Sequence, residues 1–313
     1  MIRTFTSTKF SNLILRKKSI KIIVLILKIA SIILFTLLII KADWETCIPI
    51  FGKLSLLHLL FCFLLFYTGY FLKITRWKNI LKGYNIHEGY FTLFKVFLIG
   101  GYLGLISPGK IGDFGRLYYL NDKNDSNAIL SSLIIDRVND LIMLFLLGGV
   151  GFYYLLTFHE IPLQINLSII VVFIILIAVF TCIFYSLFKK KILHFLSVFK
   201  SGISLYGTVF QLIVTTFAMI LLYGTFIVVA HDIGFEIPFI DMFFIGVFSG
   251  IINLLPISIH GIGVRELSLI YLLSLYHVVS DIALAYSLIV FALQILTLVP
   301  GVFWFYMNPI KVK

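Results

Sequence analysis

Six apolar runs, Ile22–Ile40, Leu54–Leu72, Leu141–Phe158, Ile165–Phe188, Leu205–Ala230 and Ile282–Tyr306, leave this chain few ways to fold. A helix crosses about 30 Å of hydrocarbon with about 20 residues, which is the length of these runs. Inside lipid, only helices and closed barrels satisfy every backbone N–H and C=O. Two further apolar regions, Phe91–Leu120 and Phe239–Tyr276, are broken near their middles, at 107–112 and 256–263, by proline and glycine. With 61% apolar and 12% charged residues over 313 positions and a mean hydropathy of +1.09, the sequence predicts an all-α polytopic membrane protein. A single membrane domain is expected over residues 1–313.

The basic residues set the orientation, because positive loops stay cytoplasmic. They assign to that side the N-terminus (Arg3, Lys9, Arg16, Lys17, Lys18, Lys21), the Lys73/Arg76/Lys78/Lys82 cluster, Lys189–Lys191, Lys200, Lys311 and Lys313. If region 91–120 crossed the bilayer, Lys189–Lys191 would face outward. If it enters and leaves from the cytoplasm, every cluster lies inside, and loops 41–53, 159–164, 231–238 and 277–281 lie outside. The second broken region then starts and ends outside. Residues 1–158 and 165–307 each read span, span, broken hairpin, span. An odd number of crossings inverts the second half relative to the first. The expected architecture is an inverted repeat of six full spans and two re-entrant hairpins, a recurring transporter plan. Residues 189–201 read as an interfacial amphipathic helix. The first span is read as retained, since "IIKADWE" is a poor cleavage site.

Charge and cysteine usage exclude several functions. The +11 formal charge sits beside apolar runs, with no basic strip interleaved with exposed aromatics, so no nucleic-acid partner is expected. Cys47, Cys62 and Cys182 show neither metal nor disulfide spacing, and no P-loop or nucleophile–base triad is visible. No metal, no cofactor and no independent enzymatic activity are expected.

Three charged clusters remain. In Pro108-Gly109-Lys110-Ile111-Gly112-Asp113-Phe114-Gly115-Arg116, proline and glycine stop the entering helix, and a short helix is expected from Gly112. Asp113 and Arg116 share one face, and the helix start with Lys110 or Arg116 would attract an anion. In Asp136-Arg137-Val138-Asn139-Asp140, two acids four apart need a cation between them, supplied by Arg137 or Lys110. In Pro256-Ile257-Ser258-Ile259-His260-Gly261-Ile262-Gly263-Val264-Arg265-Glu266, a second break precedes charges deep in an apolar region. Charges at that depth pair or face a wet cavity. The bland alternatives are a neutralised turn, a solvated first helical turn and a structural Arg–Glu pair.

Together these clusters resemble the membrane region of lysylphosphatidylglycerol synthases. That family's patterns run approximately P-G-[RK]-x-G-E-x-x-R, E-R-x-x-D and L-P-x-[ST]-x-G-G-x-G-x-x-E. Pro108, Gly109, Lys110, Gly112 and Arg116 match the first, with Asp113 in place of glutamate. Arg137 and Asp140 match the second, with Asp136 in place of glutamate. Leu255, Pro256, Ser258, Gly261, Gly263 and Glu266 match the third, with His260 where glycine is usual. The order and spacing agree from about residue 54 to about residue 305. The resemblance implies a flippase-like protein of a prokaryotic inner membrane that moves a lipid between leaflets or assists an enzyme acting on one. It does not imply lysine transfer, which in the synthases belongs to a separate soluble domain.

The expected function is binding and translocation of an anionic phospholipid or polyprenyl-phosphate-linked headgroup. Lys110, Asp113, Arg116, Asp136, Arg137, Asp140, Ser258, His260, Arg265 and Glu266 are the expected binding residues. Pro108, Gly109, Gly112, Pro256, Gly261 and Gly263 shape the breaks. Expected partners are the lipid, a glycosyltransferase or aminoacyltransferase, and a second copy of the chain. Two readings compete with translocation. One is a lipid-linked glycosyl transferase using the acid pair Asp43 and Glu45 in the first outer loop. The other is an accessory subunit whose charged pairs are structural.

Overall fold

The computed structural model describes residues 29–107, 111–120, 125–158, 205–254, 258 and 261–308. Helix α1 covers Ile29–Lys41. Then come α2 (Trp44–Gly52), α3 (Leu56–Gly83), α4 (Tyr90–Ile106), a 3-10 turn (Ile111–Gly115) and α5 (Arg116–Leu120). The remaining helices are α6 (Ser126–Phe158), α7 (Leu205–Ile233), α8 (Phe239–Ile252), α9 (Val264–Ser274) and α10 (Ser280–Met307). Helices α3, α6, α7 and α10 are long and apolar enough to cross a membrane. The expected span Ile165–Phe188, the Lys189–Lys191 cluster, the stretch 189–201 and both charged termini lie outside the described residues.

Hydropathy located these helices but misplaced several ends. The second apolar run stops at Leu72, whereas α3 continues to Gly83, carrying Lys73, Arg76, Lys78 and Lys82 on helix. Likewise α6 begins at Ser126, well before the run that starts at Leu141, so Asp136, Arg137 and Asp140 lie inside a continuous helix. Apolar runs end at the first charge; a helix whose charges are paired within the protein does not. Loop 41–53 is corrected as well, since α2 occupies most of it. Asp43 caps that helix, accepting from Glu45 N at 3.1 Å and Thr46 Oγ1 at 2.6 Å.

Helix α3 is tied to its neighbours towards both ends. At one end of α3, His58 Nδ1 lies 2.7 Å from Asp232 Oδ1 near the end of α7. Towards its other end Arg76 reaches Thr215 of α7 at 2.7 Å, so α3 and α7 are antiparallel. Trp77 bonds Ser132 and Lys73 bonds Asp140, which makes α6 antiparallel to α3 as well. Helix α10 bridges to α3 through Tyr67 and Tyr70, both bonded to Thr297.

Burial is inverted relative to a water-soluble protein. Leu56, Leu57, Leu64, Tyr206, Phe217 and Phe303 are exposed, whereas Arg76, Arg116, Arg265 and Glu266 are buried. Exposed apolar surface of this extent suits lipid, with charges turned inward to find partners.

Both broken regions fold back on themselves and rest on α10. In the first, Phe91 and Phe94 of α4 meet Trp304, and Tyr119 of α5 donates to Asn308 O at 3.0 Å. Its two ends therefore share the C-terminal end of α10. In the second, Asp241 in the first turn of α8 interacts with Tyr276, just past α9. Gly263, the residue before α9, has φ +83°, and a Cβ there would lie 2.2 Å from Ser31 O of α1. Only glycine meets both demands.

Gly301 sets the approach of α4 to α10, because a Cβ there would lie 2.2 Å from the Leu98 carbonyl oxygen. Gly301→Ala is expected to cost about 1–3 kcal/mol of stability by forcing the helices apart. Thermal unfolding of the purified protein in detergent measures this, and an unchanged midpoint would contradict the crossing.

Candidate functional site

The site grows from one turn of α3 and one turn of α6 brought face to face. Lys73 and Arg76 are three apart and share a face of α3. Asp136 and Asp140, four apart, share a face of α6. Arg76 is 0% exposed and spans the two acids. Its Nε and Nη2 donate to Asp136 Oδ1 at 2.9 and 2.5 Å, and its Nη1 donates to Asp140 Oδ1 at 2.7 Å. Lys73 Nζ lies 3.0 Å from the other Asp140 oxygen. Among the described residues the cation between the acids is Arg76, with Arg137 farther off at 3.9 Å from Asp140; Lys110 lies outside the described residues. A planar guanidinium fork reaches two carboxylates one helical turn apart, which a single ammonium cannot.

The first break adds the second half of the cluster. Asp113, in the 3-10 turn, accepts from Arg116 Nε and Nη2 at 2.9 and 2.6 Å. Its other oxygen pairs with Arg137. Arg116 also approaches Asp136 Oδ2 at 3.4 Å, and Arg137 approaches Asp140 at 3.9 Å. The Arg116 guanidinium lies over the rings of Trp77 (5.1 Å) and Phe97 (4.6 Å). Such cation–π contacts help hold a cation out of water.

Gly100 of α4 makes room for this pair. A Cβ at that position would lie 2.6 Å from Arg116 Cγ and 2.8 Å from Asp113 Oδ1. Asp113, Phe114, Arg116, Leu133, Asp136 and Arg137 line a narrow cleft that in this state is too tight to admit a water molecule. Arg137, with 30% of its side chain exposed, is the most accessible cation of the cluster. The helix expected from Gly112 is instead a five-residue 3-10 turn followed by five-residue α5. Gly112 N already donates to Ser107 Oγ at 2.6 Å, so attraction for an anion rests on side chains, not on a free helix start.

The second break holds its own pair. Arg265 bonds Glu266, whose other oxygen accepts from Gly263 N at 2.6 Å. The Arg265 guanidinium stacks 3.8 Å from the Phe291 ring centroid. Ser258 is buried nearby in sequence, and Gly261 has φ +80°. No ion pair or hydrogen bond among the described residues joins this pair to the first cluster. Pro108, Gly109, Lys110, Pro256 and His260 lie outside the described residues.

Sequence reasoning placed Lys73 and Arg76 among orientation charges and missed their partners. The signal available was their three-residue spacing, which points them one way while Lys78 instead sits 3.7 Å from the Tyr90 ring. Thr215 and Gly100 carried no signal at all in apolar runs. Asp43 of the outer-loop acid pair caps α2, and its carboxyl is held below its usual range by the Thr46 hydroxyl. Among the described residues no group of three ligand side chains converges.

Residues 21–301 match the family described as the lysylphosphatidylglycerol synthase TM region. The chain belongs to that family. Its members are membrane domains linked to lipid handling. The chain is also similar to a UPF0104 membrane protein of Pyrococcus horikoshii, 24% identical over 157 residues. That match covers 48% of this chain and 47%, about half, of the relative. No solved structure matches.

The close approach of Gly100 to Arg116 is testable by coupling. Gly100→Ala should lower the unfolding midpoint, and an Arg116→Ala background should relieve the loss, giving an interaction of about 0.5–3 kcal/mol. Equal losses in both backgrounds would rule out this contact.

Proposed function

We propose that this protein binds an anionic lipid headgroup, of a phospholipid or a polyprenyl-phosphate-linked lipid, and carries it between the leaflets of a prokaryotic plasma membrane. One observation supports this above the others. Four cations (Lys73, Arg76, Arg116, Arg137) meet three carboxylates (Asp113, Asp136, Asp140) in one cluster that opens onto a cleft. Among the described residues the cluster therefore carries one positive charge in excess. Excess charge in a low-dielectric setting is unfavourable until a counter-ion joins it. A phosphate or phosphodiester suits the vacant donors, since guanidinium forks bind its oxygens in pairs.

Arg137 meets the headgroup first, being the most exposed, and Arg116 completes the contact from the cleft wall. Asp113 holds both arginines before the ligand arrives and yields them to it. In this reading both broken regions are re-entrant hairpins from opposite faces, set in an inverted repeat of six spans with cytoplasmic termini. The Arg265–Glu266 pair of the second hairpin is then the station on the far side, and rocking of the halves exposes each in turn. Family membership supports a lipid as cargo, and the enzyme that consumes or supplies it would be a glycosyltransferase or aminoacyltransferase.

Reconstituted in vesicles, the protein should expose fluorescent phosphatidylglycerol to an external quencher. Arg116→Gln and Arg137→Gln should each slow that exposure about tenfold or more while the protein stays folded. Wild-type rates in both variants would remove the reading.

A further inference from the structure

We infer that Arg76 is a positioning residue that creates the positive charge of the cleft without touching the ligand. This rests on the anion-binding reading above. Arg76 is 0% exposed, lies on α3 away from the cleft lining, and donates to Asp136, Asp140 and Thr215. With Lys73 it forms a block of two cations and two carboxylates. That block is neutral. What remains is Arg116 and Arg137, whose closest carboxylate is the shared Asp113, with Asp136 and Asp140 more distant at 3.4 and 3.9 Å. The whole excess charge of the cluster is thereby localised on the two arginines that line the cleft.

The distances show what Arg76 prevents. It holds Asp136 at 2.5 Å and Asp140 at 2.7 Å, whereas Arg116 stands 3.4 Å from Asp136 and Arg137 stands 3.9 Å from Asp140. Each cleft arginine therefore has a second carboxylate just beyond a good hydrogen bond. Without Arg76, both acids lose their closest cation and sit buried beside another guanidinium. A buried carboxylate left unpaired is strongly unfavourable, so each would turn to the arginine already next to it. Arg116 and Arg137 would then be fully neutralised, and the cleft would stop attracting anions although both arginines were intact. Thr215, bonded to the same Nη1 that reaches Asp140, and the Trp77 ring beneath Arg116 fix the two guanidiniums in their separate places.

The prediction is a charge rescue. Arg76→Gln should weaken anion binding about tenfold or more, and adding Asp136→Asn should restore most of it by removing the carboxylate set free. A purely structural role for Arg76 predicts the opposite, because the double variant loses one more buried bond. Binding is measured by calorimetry on the full chain in detergent, with short-chain phosphatidylglycerol, short-chain phosphatidylcholine and inorganic phosphate as separate probes. Preference of the wild type for phosphatidylglycerol over both others supports a lipid source. Equal binding of inorganic phosphate places the same chemistry on a soluble anion. No binding of either anion by the wild type would overturn the anion-site reading itself. Given wild-type binding, a folded Arg76→Gln variant with unchanged affinity, or a double variant no better than the single, would overturn the role of Arg76. Should Arg76→Gln not fold, Asp136→Asn alone decides: it raises the excess charge and should tighten phosphatidylglycerol binding, and weaker binding by the folded variant would overturn the proposal.

Discussion

The arrangement depends on one fork. Arg76 inserts its guanidinium between two carboxylates one turn apart on α6, and this contact joins α3, α6 and α7 at a single point. In a chain with so little charge, each buried ion must be answered by another or by a ligand. Lipid outside supplies no counter-ion, so the pairing has to be arranged within the helices. That requirement fixes where α3 and α6 meet and in which direction they run. It also explains why these two helices extend beyond their apolar runs, since charges that are paired inside the protein do not end a helix.

The two breaks in the chain solve different problems with similar residues. Around the first, seven charged side chains among the described residues assemble from four elements and leave one positive charge over, next to a narrow cleft. Around the second, one arginine and one glutamate satisfy each other, and the glutamate also caps Gly263. In the proposed reading the first site takes up the anion, while the Arg265–Glu266 pair is satisfied within itself. The same reading assigns the two breaks to alternate stations of a carrier.

Much of this was legible in the sequence, and what was not has a physical reason. Apolar runs located α3, α6, α7 and α10, and the Pro/Gly clusters located both breaks. Asp113, Arg116, Asp136, Arg137 and Asp140 were singled out by their helical spacing, and the structure brings all five together. The hidden part was long-range. Arg76 looked like one more cytoplasmic charge beside Lys73, Lys78 and Lys82, because its partners stand 60 and 64 residues away. Spacing along α6 demanded a cation between Asp136 and Asp140 but could not say from which helix it came. The capping role of Asp43 was hidden because the loop that holds it gave no sign of α2.

The central claim is that the cluster holds one uncompensated positive charge that an anionic headgroup neutralises. An experimental density map of the protein in phosphatidylglycerol-containing nanodiscs tests it most directly. The account predicts phosphate density within hydrogen-bond distance of both Arg116 and Arg137, with Asp113 withdrawn from at least one of them and Arg76 still bridging Asp136 and Asp140. A cleft without phosphate at saturating lipid, with Asp113 still shared between both arginines, would contradict it.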